Sequence, residues 1–331
     1  MRMDICLSAD DNYAKYMGTT IASILSNSKE DEEIYFHLLD GGITEENKNK
    51  LLSLKKIKNC DMKFYVPDFE KYKKWYELGN YNGRFSPAMF YRLDIHILMP
   101  DIDKVLYLDC DTIVRSSLKE LFEIDINNYY ALVADNARNN NYFNSGVILF
   151  NSQLCREINI EKSYNDFFYK NNGKVWTDEE ILNECLKNRV KFIEPKWNFF
   201  ANKIQQYYID YNLNDVKIIH YMSFKPWKSD CRSVIFIDEF WKYYQLTPWF
   251  LERPIDAIQT ILAQKYGDYE ETKLKINDVR CFGVYHNRNT LKIVIFFIKI
   301  RIEMSFKNVN KIAWFIPVKK WREAFRRAFD V

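Results

Sequence analysis

Asp109-Cys110-Asp111 is the sharpest chemical feature of the chain, because it comes directly after the apolar run Lys104–Leu108 (KVLYL). Side chains at i and i+2 of an extended chain share a face, so both carboxylates point one way and Cys110 the other. Strands of α/β sheets present ligand sites at their carboxyl ends. Two hard oxygen donors in that place suit Mn2+ or Mg2+ shared with substrate phosphates. The competing reading is a solvated turn in which Asp111 caps the next segment of the chain. His220 also closes an apolar run, Val216–Ile219, and a neutral imidazole can complete such a ligand set. It can equally be a satisfied core residue. Lys225, five residues on, can sit on a phosphate as a point charge.

Three more segments carry polar groups that could do chemistry. Asp178-Glu179-Glu180 opens a helical stretch, where acids complement the helix dipole unless partners from elsewhere recruit them. Asn144, within Phe143-Asn144-Ser145-Gly146, can donate to a sugar hydroxyl or simply turn the chain. Arg92, within Phe90-Tyr91-Arg92-Leu93, is either a phosphate or sugar clamp or a surface helix residue. His37, His96 and His286 have no comparable surroundings and read as structural.

The elements that must position these residues alternate along the chain. Asp4–Ala9 reads as a strand, Asp10-Asp11-Asn12 as a turn, and Thr19–Leu25 as helical. Strand signals recur at Glu33–Leu39, Met62–Val66, Lys104–Leu108, Tyr130–Ala134, Gly146–Phe150 and Val216–Ile219. Thr44-Glu45-Glu46 marks a capped helix start, and Asp178–Leu186 a second helix. Strands alternating with helices imply an α/β domain with a largely parallel sheet. The pattern fades near residue 245, which divides the chain into 1–245 and a basic, aromatic region, 246–331.

Composition narrows the function classes. With 331 residues, 47% of them hydrophobic, and 24 Phe and 23 Tyr, the chain can bury a large core and is not disordered. Nine Gly and eight Pro exclude collagen-like and linker-rich architectures. Seven Cys without a CxxC argue against a disulfide scaffold and fit reduced thiols in a cytosolic compartment. No Walker A, HExxH, GxSxG or GxGxxG occurs, which removes the best support for ATPase, zincin, α/β-hydrolase and dehydrogenase readings. The most apolar stretch, Leu291–Ile300, is broken by Lys292 and Lys299 and falls short of the ~20 residues a spanning helix needs. The first residues show no signal-like apolar core.

Taken in order, six segments resemble family 8 of the retaining glycosyltransferases, a group with the GT-A fold whose bacterial members build lipopolysaccharide or lipooligosaccharide. They are LSADDNY (7–13), FYRL (90–93), KVLYLDCDTIV (104–114), YFNSGVILFN (142–151), DEEILN (178–183) and HYMSFKPW (220–227). The resemblance implies a Rossmann-like mixed sheet flanked by helices over 1–245, followed by a smaller, mainly helical C-terminal region. It implies that Asp10 and Asn12 contact the uracil and ribose of a UDP-hexose, galactose or glucose being the sugar. Asp109, Asp111 and His220 would hold Mn2+ (or Mg2+) on the diphosphate, with Lys225 also on the phosphates. Arg92, Asn144 and Asp178 would position the donor sugar, and Glu179 would lie beside the anomeric carbon. Two departures stand out. The family often has Asp-Gln-Asp where this chain has Asp178-Glu179-Glu180, so a carboxylate replaces an amide. The stretch from His220 to Lys225 is one residue shorter than usual, with Ser223 near a customary Gly.

The net charge of +3 is unevenly placed: residues 299–331 carry +6, and the rest −3. After Pro317, the residues Trp321, Ala324, Phe325 and Ala328 fall on one helical stripe, with Lys319, Arg322, Arg326 and Arg327 off it. A basic amphipathic helix of this kind reads as an anchor on anionic lipid, or else as a helix packed on the protein with its basic face solvated. The expectation is a cytoplasmic enzyme, peripheral on the inner face of the bacterial plasma membrane and acting on a lipid-linked oligosaccharide. No nucleic-acid partner is expected, since the body lacks the basic balance such domains show. The rival class is a non-catalytic membrane- or nucleic-acid-binding module using the basic tail. A metal-dependent phosphohydrolase also uses paired Asp but gives no reason for the FNSG or HYMSFKPW segments.

Overall fold

The computed structural model describes residues 1–251 apart from 80, 82–85, 135–140, 188, 202–211, 223, 229–230 and 232–233, together with strand backbone within 275–303. The chain divides into two compact units, Met1–Leu251 and Glu252–Val331.

The first unit opens with β1 (Arg2–Ala9), α1 (Ala14–Asn27), β2 (Glu33–Asp40), α2 (Glu45–Leu52), β3 (Asp61–Tyr65) and α3 (Phe69–Gly79). A 3-10 segment (Pro87–Asp94) and the short α4 (Ile95–Leu98) lead into β4 (Lys104–Leu108) and β5 (Thr112–Val114). Then come α5 (Lys119–Glu123), β6 (Ala131–Ala134), β7 (Val147–Asn151), α6 (Ser152–Glu157), α7 (Ile160–Lys170), α8 (Asp178–Cys185) and β8 (Val190–Ile193). The unit closes with β9 (Phe199–Phe200), β10 (Ile218–His220) and α9 (Ile237–Tyr244).

Seven strands form one sheet in the order β3-β2-β1-β4-β7-β6-β8. Neighbours run parallel except at β7, which opposes both β4 and β6. The mixed α/β sheet expected from the sequence is therefore present. β1 and β4 read as near-continuous apolar runs because both faces of the sheet are covered. On one side, Trp75 stacks on Phe168 with ring centroids 3.9 Å apart, and Phe90 packs against both. Full burial of side chains this size stabilises by about 1.5–3 kcal/mol each. A second, small sheet, β5-β10-β9, pairs β10 antiparallel to β5 and parallel to β9.

Helix α1 is buried from Met17 to Leu25, and its polar residues there are structural. Thr20 donates to the carbonyls of Cys110 and Thr112, and Ser23 Oγ accepts from the Val114 amide. These bonds fasten the Asp109–Asp111 turn and β5 to the helix, which satisfies backbone groups that a buried loop would otherwise leave unpaired.

In the second unit the described elements are strands: a β11 (Lys275–Ile276) and β12 (Val279–Arg280) pair, and an antiparallel meander of β13 (Phe282–Asn287), β14 (Thr290–Ile295) and β15 (Ile298–Glu303). The mainly helical C-terminal region expected from the sequence is thus corrected for these residues. The reason is local: Ile298-Lys299-Ile300-Arg301-Ile302-Glu303 alternates with period two and is rich in β-branched side chains. The register sets Ile293 opposite Ile300 and Lys292 opposite Arg301. The stripe of Trp321, Ala324, Phe325 and Ala328 lies outside the described residues, as does Ser223.

Candidate active site

The site lies where β1 and β4 end. A cavity of about 390 Å3 is bordered there by Asp10, Asn12, Tyr13, Arg92, Asp109 and Asp111, among others. The turn after β1 divides its own acids. Asp11 Oδ1 accepts from the Thr44 amide, the Thr44 hydroxyl and Asn47, tying the turn to the start of α2. Asp10 and Asn12 are left to face the cavity.

At the end of β4, the Asp109 amide donates to the Gly146 carbonyl (2.8 Å), while Cys110 turns inward and its thiol donates to the Ser8 carbonyl (3.1 Å). Both aspartates thereby point toward His220, which ends β10 opposite Thr112. His220 Nε2 stands 3.2 Å from Asp111 Oδ1 and 3.8 Å from Asp109 Oδ2. Ligand atoms of the three residues lie within 4.8 Å of one another. Gly146 keeps this space open: a Cβ there would stand 2.7 Å from Asp109 Oδ2 and closer still to the His220 ring. Lys225 pairs with Asp111 and donates to the Tyr221 carbonyl (2.9 Å). Burial by itself would raise the Asp111 carboxyl, but Lys225, together with His220 when its ring carries both protons, outweighs it and holds the group well below the usual carboxylate range.

Arg92 is neither on the surface nor free to clamp a phosphate. Buried, its guanidinium reaches Asp109 (2.8 Å), Asp178 (3.0 Å) and the Ser145 carbonyl (2.8 Å), and it stacks over the Tyr107 ring. A planar fork of donors can hold two carboxylates at once, which an ammonium cannot. Asp178 also accepts from Ser145 Oγ (3.0 Å). Burial, with Asp109 and Glu179 nearby, overcomes Arg92 and pushes the Asp178 carboxyl up to about 6. Arg92→Leu strands the buried Asp178 charge, so it is expected to cost about 3–5 kcal/mol in urea unfolding. A loss under about 1 kcal/mol contradicts this role.

Helix α8 delivers Asp178 and Glu179 from a first turn capped by Thr177. Its Asn183 grips the Phe143 backbone twice, accepting from the amide and donating to the carbonyl, each at 2.9 Å. That pair of hydrogen bonds sets the FNSG segment against the helix. Glu179 Oε2 then accepts from Asn144 Nδ2 (2.7 Å) and the Ser145 amide (3.1 Å). Burial raises the Glu179 carboxyl, and the Ser145 and Asn144 donors only partly offset it.

All ten residues singled out from the sequence thus fall in one connected region. The residues missed were those that hold them: Gly146, Asn183, Ser145 and Asn198. Asn198 is a lone amide in the aromatic run Trp197-Asn198-Phe199-Phe200, and a polar side chain in such a run was the available signal.

Residues 4–231 match the profile of glycosyl transferase family 8. The chain belongs to that family. It is 33% identical over 217 residues to a Haemophilus influenzae protein named as a glycosyltransferase, spanning 60% of this chain and 63% of that relative's length. It is 26% identical over 267 residues to a lipopolysaccharide 1,2-glucosyltransferase of Escherichia coli, covering 72% and 77% of the two chains. Among solved structures, the galactosyltransferase LgtC, in complex with donor and acceptor sugar analogs, superposes with a TM-score of 0.62 at 27% identity. That match covers 74% of this chain and 96% of LgtC. An active-site Gln-to-Glu mutant of LgtC superposes comparably, with a TM-score of 0.61 at 28% identity, over the same shares of the two chains. This family 8 chain therefore has the GT-A fold, and it is a glycosyltransferase.

Proposed function

We propose that the chain is a retaining hexosyltransferase that moves galactose or glucose from UDP to a lipooligosaccharide or lipopolysaccharide acceptor, with Mn2+ at Asp109, Asp111 and His220. The observation that carries this reading is the convergence of three ligand atoms beside the cavity that Asp10 and Asn12 border. Charge supports it. Asp109, Asp111, Asp178 and Glu179 face two permanent cations, Arg92 and Lys225, and this excess would repel a nucleoside diphosphate. One divalent cation there would cancel that excess and would lower the energy of the departing diphosphate as its charge develops.

The protein's own groups do the rest. Asp10 and Asn12 hold the nucleoside end. Lys225 exchanges its contact with Asp111 for the phosphates. Arg92 keeps Asp178 fixed against the sugar hydroxyls, and Asn144 with Glu179 lies beside the anomeric carbon. In front-face substitution the bond from C1 to the phosphate oxygen breaks, the bond to the acceptor oxygen forms on the same face, and the acceptor's proton passes to the leaving phosphate. A panel of UDP-sugars followed for slow donor hydrolysis tests the donor without an acceptor: UDP-galactose or UDP-glucose is expected to be cleaved, and indifference to every UDP-sugar overturns the reading.

Glu179 serves in this scheme as an electrostatic and orienting group. Its Oε2 is already committed to two N–H donors, which a Gln oxygen can equally accept. Glu179→Gln is therefore expected to keep transfer within about tenfold, an effect of under about 1.4 kcal/mol on the barrier. A glycosyl-enzyme trapped on Glu179 and seen by mass spectrometry would instead make it a nucleophile.

We further propose that the C-terminal region associates with anionic lipid, which suits a lipid-linked acceptor at the inner face of the plasma membrane. The support is its charge of +6 over residues 299–331. No helix among the described residues is long and apolar enough to cross a membrane. Full-length protein should co-sediment with phosphatidylglycerol vesicles more than a chain ending before Pro317. Equal binding by both rules the tail out.

A further inference from the structure

Asn198 occupies a position with no direct access to donor or acceptor: it is 1% exposed, behind the His220 ring. Its side chain nevertheless joins the two halves of the site. His220 Nδ1 lies 2.9 Å from Asn198 Oδ1, Asn198 Nδ2 lies 3.1 Å from Asn144 Oδ1, and Asn144 Nδ2 lies 2.7 Å from Glu179 Oε2.

The direction of every bond in this row is set by its ends. The Gly146 amide can only donate, and it donates to Asn144 Oδ1 at 3.0 Å. Glu179 Oε2 accepts from the Ser145 amide, so it is also the acceptor for Asn144 Nδ2. With Asn144 fixed, the atom of Asn198 that meets its oxygen must be the NH2 group. The oxygen of Asn198 is then left facing the imidazole, where it requires a proton on Nδ1. The neutral His220 ring is thereby held with its lone pair on Nε2, toward Asp111 and Asp109. Without that constraint, a proton on Nε2 would be favoured, because it could bond Asp111 Oδ1 at 3.2 Å and close the ligand set.

We propose that Asn198 is a positioning residue: its amide selects the Nδ1–H tautomer of His220, so that Nε2 is presented as a ligand to a divalent cation, and its NH2 group locks the Asn144 side chain that holds Glu179. The consequence for metal uptake rests on the proposed cation site; the tautomer assignment does not. Groups that orient a metal-binding imidazole typically matter by about 10–100-fold in affinity.

Two measurements on the full-length protein test this. Proton–nitrogen correlation spectra of the histidine rings, recorded metal-free on 15N-labelled protein at alkaline pH, read the tautomer directly. Free Mn2+ counted by electron paramagnetic resonance in the presence of UDP reads affinity. The wild type is expected to show Nδ1–H at His220. Asn198→Leu, close in size but unable to accept or donate, is expected to move the proton to Nε2 and weaken Mn2+ uptake about 10–100-fold. Asn198→Asp still accepts from Nδ1 and is expected to retain the wild-type tautomer, which keeps the test open if the Leu variant does not fold. An Nε2–H ring in the wild type overturns the proposal, as does a Leu variant with unchanged tautomer and Mn2+ uptake. Nδ1–H in a wild type that takes up no Mn2+ supports the positioning role and sinks the cation reading instead.

Discussion

Asp111→Asn is expected to lower glycosyl transfer about a thousandfold while leaving the fold intact. The substitution keeps the volume of the side chain but removes one negative charge and one strong oxygen ligand. It also places an NH2 group within reach of His220 Nε2, now 3.2 Å from Asp111 Oδ1, where it can bond the lone pair meant for the cation. Lys225 loses its carboxylate partner and retains its bond to the Tyr221 carbonyl. Losing most of the stabilisation that the proposed cation would give the leaving group, on the order of 4 kcal/mol, corresponds to about three powers of ten in rate. Donor turnover measured against a Mn2+ titration checks it. Activity within about tenfold of the wild type at saturating Mn2+ contradicts the role given to Asp111.

Gly146→Ala is expected to abolish assembly of the site through a single methyl group. The added carbon has nowhere to go: the His220 ring it would strike is 2% exposed and bonded to Asn198, and Asp109 Oδ2 would be 2.7 Å away. Neither neighbour is the loose end of a flexible side chain. The Gly146 backbone cannot retreat, because its carbonyl accepts from Asp109 and its amide donates to Asn144. Overpacking of this sort costs about 1–3 kcal/mol in stability. The functional loss is larger, since displacement of either ligand by about 1 Å removes the common point the three share, and uptake of Mn2+ with UDP should fall at least about a hundredfold. Thermal shift with and without Mn2+ and UDP separates the two effects: the variant should melt lower and should lose the ligand-induced rise. A variant stabilised by the pair as much as the wild type contradicts the cradle.

Much of this site was legible because short-range chemistry and strand ends coincide in it. KVLYL running into Asp-Cys-Asp carries its own geometry: alternation fixes which side chains share a face, and the apolar run fixes where the strand stops. His220 after an apolar run was readable for the same reason. What could not be read is the lateral support. Arg92 looked like a ligand clamp or a surface residue, yet it is spent on Asp109 and Asp178, which come from β4 and α8. Asn183 and Phe143 are forty residues apart and meet only in the folded chain. Asn198 and His220, 22 residues apart, likewise meet only there. Their contacts depend on strand order, and the reversal of β7 between β4 and β6 leaves no trace in local periodicity. In the second unit the described residues are strands, as the local alternation of Ile298–Glu303 favours.

Asp109, Asp111 and His220 are proposed to hold a divalent cation through which this family 8 chain binds its nucleotide. Titration calorimetry of the full-length protein with UDP, in Mn2+ and again in EDTA, tests it most directly. One Mn2+ per chain and UDP binding that disappears in EDTA are the results expected. Equal UDP affinity in both buffers contradicts the claim.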